Sequence, residues 1–255
     1  MKRFSEYEID EIRKLVGKGA SLRDISSHLN RCKSAVQYHV AKLRGKRARE
    51  KDFLFENLTD KELGWFIGCY AGDGSRYFRR EAYSYEVKIA LNEKEDSIAE
   101  FAEVILSKCG VKTRRSLEGT RLYVRCQSKK LYEFVERYLL WEGTKKSNSV
   151  RLANLSSYPS NFLFGFLCGL IDADGGTKRL FISTSSAKLA DNILDICEAL
   201  EIDTKKHEYD VFHIYLSKPD YIKACGKYGF SCIKHRTSDD GPGRVSPSSS
   251  GPGGI

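Results

Sequence analysis

The stretch Leu167-Cys-Gly-Leu-Ile-Asp-Ala-Asp-Gly-Gly176 follows directly on Asn161-Phe-Leu-Phe-Gly-Phe166, so a strongly apolar segment runs into two carboxylates and two glycines. The apolar run from Phe162 to Ile171 is about half the length a bilayer span requires, which excludes a membrane anchor. A single apolar helix ending in Asp-Gly would be an ordinary helix terminus. Here there is a second copy: Phe66-Ile-Gly-Cys-Tyr-Ala-Gly-Asp-Gly74 can be laid on Leu167 to Gly175, which sets Asp73 on Asp174.

The likeness continues downstream. IAEFAEVILSKCGVKT from Ile98 lies on LADNILDICEALEIDT from Leu189, both amphipathic helices followed by a short strand. LYVRCQSKKLYEF from Leu122 lies on HIYLSKPDYI from His213, which puts Lys129 over Lys218. Each half reads helix, strands, helix, strands, helix, and two like units related by a pseudo-twofold are the economical arrangement.

Within each motif the small residues recur every fourth position: Gly64, Gly68 and Gly72 in one, Gly165, Gly169 and Ala173 in the other. A glycine inside a helix costs roughly 1 kcal/mol of propensity, so the strip needs a return, and close backbone packing supplies it. If the strips face each other, Asp73 and Asp174 arrive together at the C-terminal ends of both helices. There the macrodipole disfavours a carboxylate by about 0.3–1 kcal/mol, and the two acids repel. A bound cation best explains carboxylates set against both effects, and oxygen ligands suit Mg²⁺ better than a thiophilic metal.

At these residues the sequence resembles the LAGLIDADG homing endonucleases in their single-chain, two-motif form. LCGLIDADG departs from the motif at one position of nine; FIGCYAGDG departs more but keeps the middle Gly and the final Asp-Gly, with Ala71 in place of the first acid. The resemblance covers about 180 of the 255 residues. It implies an α+β fold of tandem αββαββα-type repeats with a saddle of two sheets. It also implies Asp73 and Asp174 as the metal-binding catalytic pair, the carbonyls of Gly72 and Ala173 as further ligands, and Lys129 and Lys218 as the peripheral active-site lysines. The implied activity is a Mg²⁺-dependent double-strand break in a long, non-palindromic DNA site, with Mn²⁺ able to substitute. Two rival readings stand beside it: a DNA-binding regulator that kept the scaffold and lost cleavage, and a maturase whose partner is intron RNA.

DNA contacts are expected from the strands. Alternation sends Leu122 and Val124 to the core and Arg121, Tyr123 and Arg125 to the DNA, and by the same rule Glu86 and Lys88 oppose Val87 and Ile89, while His213 and Tyr215 oppose Ile214 and Leu216. Arg76, Arg79 and Arg80, in an insertion peculiar to the first half, and Lys178 in the second complete the set. The second half has a truncated first hairpin, because about 22 residues separate Asp73 from the next helix but only about 12 follow Asp174.

Residues 1–45 read as a helix-turn-helix DNA-binding unit, with Ser21 capping Leu22 to Leu29, Asn30 at the turn, and Ile25, Leu29, Val36 and Leu43 as core. Lys33, Ser34, Gln37 and Tyr38 then stand on the recognition helix. Residues 46–57 form a linker, 58–157 and 158–238 the two halves, and the Gly/Pro/Ser-rich tail 239–255 is expected to be disordered. RGKRAREKD at 44–52 carries five basic residues against two acidic ones, as a segment lying along phosphates would. The formal charge of +9 agrees with a polyanionic partner. The eight cysteines are scattered without a CxxC pair, so they read as reduced core residues. With no apolar run at the N-terminus, the expectation is a cytoplasmic monomer with access to DNA.

Overall fold

The computed structural model describes residues 4–43, 53–79, 84–143, 145–176 and 178–235. The chain divides into two compact units, 1–52 and 53–255. The basic stretch 44–52, Arg80 and the tail from 239 lie outside the described residues.

The first unit holds α1 (Glu6–Gly17), α2 (Leu22–His28) and α3 (Lys33–Leu43). Ser5 and Ser21 each close a reciprocal capping box, with Glu8 and Asp24, and Asn30 takes the left-handed conformation (φ 49°) between α2 and α3. Ile12, Ile25, Val36 and Val40 form the core, with Leu29 packed against it. Leu43 does not join them: the last residue of α3 is 40% exposed, and Val40, one turn earlier, takes the place expected for it. Arg31 holds Glu8 at 2.8 Å, tying the α2–α3 turn to α1.

The second unit is built on α4 (Asp60–Asp73) and α7 (Ser160–Asp174). A Cβ added to Gly64 would lie 2.1 Å from the Phe162 carbonyl oxygen, and one on Gly68 2.1 Å from that of Phe166. On the other helix, Gly165 and Gly169 sit equally close to the carbonyls of Lys61 and Trp65. The small-residue strips therefore face each other, the helices run in the same direction, and both end at one pole. Phe66, Tyr70, Phe162, Phe164 and Phe166, all buried, fill the space on either side of the contact. Thr59 and Glu62 cap the start of α4 reciprocally.

Each helix is followed by its own sheet. In the first half β1 (Gly74–Arg79), β2 (Ser84–Asn92), β4 (Arg121–Gln127) and β3 (Thr113–Glu118) pair antiparallel in that order, backed by α5 (Asp96–Lys108) and α6 (Lys129–Tyr138). Val87, Ile89, Val124 and Cys126 turn inward. The segment between halves carries the two-residue strands β5 (Leu139–Leu140) and β6 (Arg151–Leu152). In the second half β7 (Phe181–Thr184), β9 (Phe212–Leu216) and β8 (Thr204–Glu208) form a three-stranded sheet with α8 (Ala187–Ala199) and α9 (Lys218–Tyr228). Where the first half has β1, the second has among the described residues a single bridge, Gly175 to Ile182, in keeping with the truncated hairpin expected from the spacing. This is the α+β, pseudo-twofold architecture the repeat implies. No described helix is long and apolar enough to cross a membrane. All eight cysteines are free.

Candidate metal centre and nucleic-acid face

Asp73 and Asp174 are the last residues of α4 and α7, and both are half-buried, flanked by protein yet reachable from outside. A Cβ on Gly72 would lie 2.6 Å from Oδ2 of Asp174, so this carboxylate rests against the end of the opposite helix. Burial, then the Asp174 and Glu95 charges, push the Asp73 carboxyl up to about 7 against the pull of Lys234 and Lys146. Asp174 is also raised by burial, offset by Lys146 and Lys234.

Two lysines that sequence reasoning missed occupy this pole. The Lys146 ammonium donates to the carbonyl oxygens of Tyr70 (2.5 Å) and Gly72 (3.0 Å). Burial lowers it to about 8, while Asp174 and Asp73 act in the opposite direction. The Lys234 ammonium donates to Ala173 (3.0 Å) and Gly175 (3.3 Å) and pairs with Glu95 at 2.9 Å. Each comes from the segment that follows the last helix of a half, α6 or α9. Neither segment has a periodicity or motif that could have announced it; the only signal is a basic residue in GTKKSNSV and in CIKHR.

Lys129 and Lys218 stand instead at the first residues of α6 and α9, and both are exposed. Lys129 pairs with Glu133 at 3.3 Å and lies 5.9 Å from the Tyr85 ring centre. The other motif acid, Asp172, is fully buried and accepts from Trp65 Nε1 (2.7 Å) and from the amides of Ile233 (2.9 Å) and Lys234 (2.8 Å). Burial raises its carboxyl and these donors lower it.

Among the described residues no group of three or more His, Cys, Asp or Glu side chains is arranged to hold a metal ion. What the pole offers is two carboxylates and the Gly72 and Ala173 carbonyls, an all-oxygen set. That set fits a hard cation that retains water in its shell, as Mg²⁺ and Mn²⁺ do.

Strand register sorts the expected DNA contacts. Ser75 pairs with Lys88 and Tyr77 with Glu86; Lys88 pairs with Arg125, Ala90 with Tyr123, and Asn92 with Arg121. Arg79, opposite Ser84, belongs to the same outward face. Arg76 does not: it pairs with Val87, which is buried, and therefore points to the helix side. There it stacks between the rings of Tyr132 (4.5 Å) and Trp141 (4.4 Å) and pairs with Glu136 at 2.5 Å. Arg76, expected at DNA from its place in the insertion, thus lies on the opposite face from Arg79, because a one-residue step along a strand reverses its face. Tyr123 faces outward but is only 9% exposed, since Lys88 (5.0 Å) and Arg125 (4.6 Å) lie over its ring. Arg125 also joins Glu86 at 3.6 Å and Glu118 at 2.5 Å, beside a concavity of about 570 Å³ lined by Glu86, Arg114, Arg125 and Gln127.

The second sheet presents a different outer face. His213 and Tyr215, half-buried, line up with Ser183 and Phe181 on β7 and with His207 and Lys205 on β8. Ser183 Oγ meets His213 Nδ1 at 2.8 Å. Lys178 is exposed in the loop after Gly176. In the first unit Lys33, Ser34, Gln37 and Tyr38 are all exposed on α3, Tyr38 at 63%.

Two like halves joined by a glycine-faced helix pair, with an acid at the end of each helix and an antiparallel sheet in each half, define the LAGLIDADG fold. Solved structures of the homing endonuclease I-DmoI share it. I-DmoI in complex with DNA and Ca is 20% identical with a TM-score of 0.53, over 66% of this chain and 89% of that one. I-DmoI in complex with DNA and Mn is 20% identical with a TM-score of 0.51, over 70% and 98%. At these identities the likeness is one of fold. An uncharacterized protein of Methanocaldococcus jannaschii is 26% identical over 166 residues, 62% of this chain, and the match spans 53% of that protein's length. No protein-family model matches the chain.

Proposed function

We propose that the chain is a site-specific DNA endonuclease that uses a divalent cation, Mg²⁺ or Mn²⁺, to break both strands of a long, non-palindromic duplex. The observation that carries this reading is the convergence of Asp73 and Asp174, one from each half, on a single half-buried pole with a sheet on either side. A cation held by Asp73 and Asp174, with the Gly72 and Ala173 carbonyls in the donor set, would supply activated water and neutralise charge at the leaving 3′ oxygen.

The chain's own residues supply the rest. Lys146 and Lys234, already at the pole, place positive charge where a phosphodiester must enter, and Lys129 and Lys218 stand further out as peripheral cations. Arg79, Lys88, Arg121 and Arg125 give the first sheet a cationic face toward the major groove, while His213 and Tyr215 give the second a more aromatic one. Unequal sheets suit unequal half-sites. The unit at 1–45 extends the contact through Lys33, Ser34, Gln37 and Tyr38, with the basic segment up to residue 52 as a tether along phosphates. One chain supplies both halves of the site, so a monomer suffices.

One observation favours a second reading, a DNA-binding regulator that does not cut. The ammoniums of Lys146 and Lys234 sit on the Gly72 and Ala173 carbonyls, so part of the negative potential is met without a metal. The test is to select bound duplexes from a randomised library in Ca²⁺ and then transfer the pool to Mg²⁺ or Mn²⁺. The endonuclease reading requires linear double-strand products from wild type and none from Asp73→Asn or Asp174→Asn at unchanged binding. A tightly bound pool that stays intact in both metals decides for the regulator.

A further inference from the structure

The segment after α9 is fastened at nearly every residue. Phe230 N donates to Cys225 O at 3.4 Å, and Cys232 N donates to the Tyr221 hydroxyl at 2.9 Å. Ile233 N and Lys234 N reach the two oxygens of Asp172, and His235 Nε2 lies 2.8 Å from Gly176 O. The indole of Trp65, on the helix of the opposite half, completes the set of partners around Asp172. From this anchored backbone the Lys234 side chain crosses to Ala173, Gly175 and Glu95.

This arrangement is not a requirement of the helix pair. At the position matching Asp172 the first motif has Ala71, buried and with no acid, and that helix packs equally closely. The difference lies in what each half must hold. Lys146 is carried by the segment between halves, which is tethered at both ends and has its own pairing of β5 with β6. The segment bearing Lys234 follows the last helix and enters no sheet among the described residues. A carboxylate that accepts two successive amides supplies the missing attachment.

We propose that Asp172 is a positioning residue: it anchors Phe230–His235 as a strap that holds the Lys234 ammonium at the Asp174 end of the site, where it stabilises charge on the phosphate being cut. The catalytic clause rests on the endonuclease reading; the strap itself does not. Two arms of one experiment therefore keep the failures apart.

The first arm is amide hydrogen exchange on metal-free, full-length protein. Asp172→Asn should raise exchange of peptides covering Ile233 and Lys234 at least about tenfold while α4 and α7 stay protected, and Lys234→Met should leave the strap protected, because the anchor is main chain. Unchanged protection of the strap in Asp172→Asn, or equal loss across the whole helix pair, overturns the anchor. Should Asp172→Asn fail to fold, Ile233→Pro removes one of the two amide donors and leaves the acid in place.

The second arm is single-turnover cutting of the selected duplex. Asp172→Asn and Lys234→Met should each slow it about a hundredfold. The double variant should be no slower than either alone, and Lys234→Arg should recover about a tenfold share, because the two residues act as one unit. Multiplying effects would mean that Asp172 acts otherwise than through Lys234 and would overturn the positioning role. If wild type cuts nothing, the endonuclease reading has failed, and the exchange arm alone decides the strap.

Discussion

Replacing Gly68 by alanine tests the helix contact that brings the two acids together. The new Cβ would lie 2.1 Å from the Phe166 carbonyl oxygen and 3.1 Å from the Leu170 nitrogen. Both are backbone atoms, so no side chain can rotate away, and the helices must part by about 1 Å in an interior with little slack. Overpacking of this kind costs about 1–3 kcal/mol, and the upper end applies against backbone. Alanine's better helix propensity returns about 1 kcal/mol. The net loss of about 2 kcal/mol should lower the melting temperature of the main unit by roughly 4–8 °C. Gly226→Ala is the control: in α9 an added Cβ meets nothing within 4 Å, so the same substitution should be neutral or stabilise by up to about 1 kcal/mol. Calorimetry of the two variants beside wild type separates steric from propensity effects. A Gly68→Ala melting temperature equal to or above wild type would refute the close approach of α4 and α7.

Other substitutions probe the faces and the charges. Arg76→Ala should destabilise the main unit by about 1–3 kcal/mol, through lost stacking and an orphaned Glu136, with little change in DNA affinity measured at a fixed salt concentration. Arg79→Ala should do the reverse, lowering affinity and reducing its salt dependence by about one phosphate contact while leaving the melting curve unchanged. In metal-free protein the Asp73 carboxyl, raised to about 7 from the ordinary 3.8, keeps a proton that the unfolded chain has released, so its contribution to stability is full below about pH 4 and is lost as pH rises through 7. Asp73→Asn should therefore match wild type near pH 4 and exceed it at pH 8 in chelator, which denaturant titration at both pH values will read. Adding Mg²⁺ at pH 8 should stabilise wild type by about 2.7 kcal/mol at a hundred times the dissociation constant and leave Asp73→Asn unmoved.

The helix pair was legible because its cause is local. Small residues every fourth position impose close packing wherever the helix sits, and a second copy in register names the partner. The truncated second sheet was equally readable, from the count of residues between Asp174 and the next helix. The insertion alone does not separate Arg76 from Arg79, because the face of a strand residue depends on register with its neighbour, and parity near a hairpin is not written in the residue itself. Leu43 misled for a related reason: helical spacing puts it on the core face, but the last residue of α3 is 40% exposed. Lys146 and Lys234 could not be found at all. They reach the pole from irregular segments whose course is set by tertiary contacts, and an isolated lysine in such a segment reads as solvated surface. The mismatch with Ala71 sets Asp172 apart from Asp174 in the sequence, but its partners lie about 60 residues away in the strap and more than 100 away at Trp65, beyond any local pattern.

The most direct test of the central claim follows each strand of a selected duplex separately after addition of Mg²⁺. Two acids, one from each half, should give wild-type cutting of both strands, while Asp73→Asn and Asp174→Asn each lose double-strand cutting at least about a thousandfold with binding in Ca²⁺ unchanged. Double-strand products that persist at the wild-type rate in either variant would contradict the shared site.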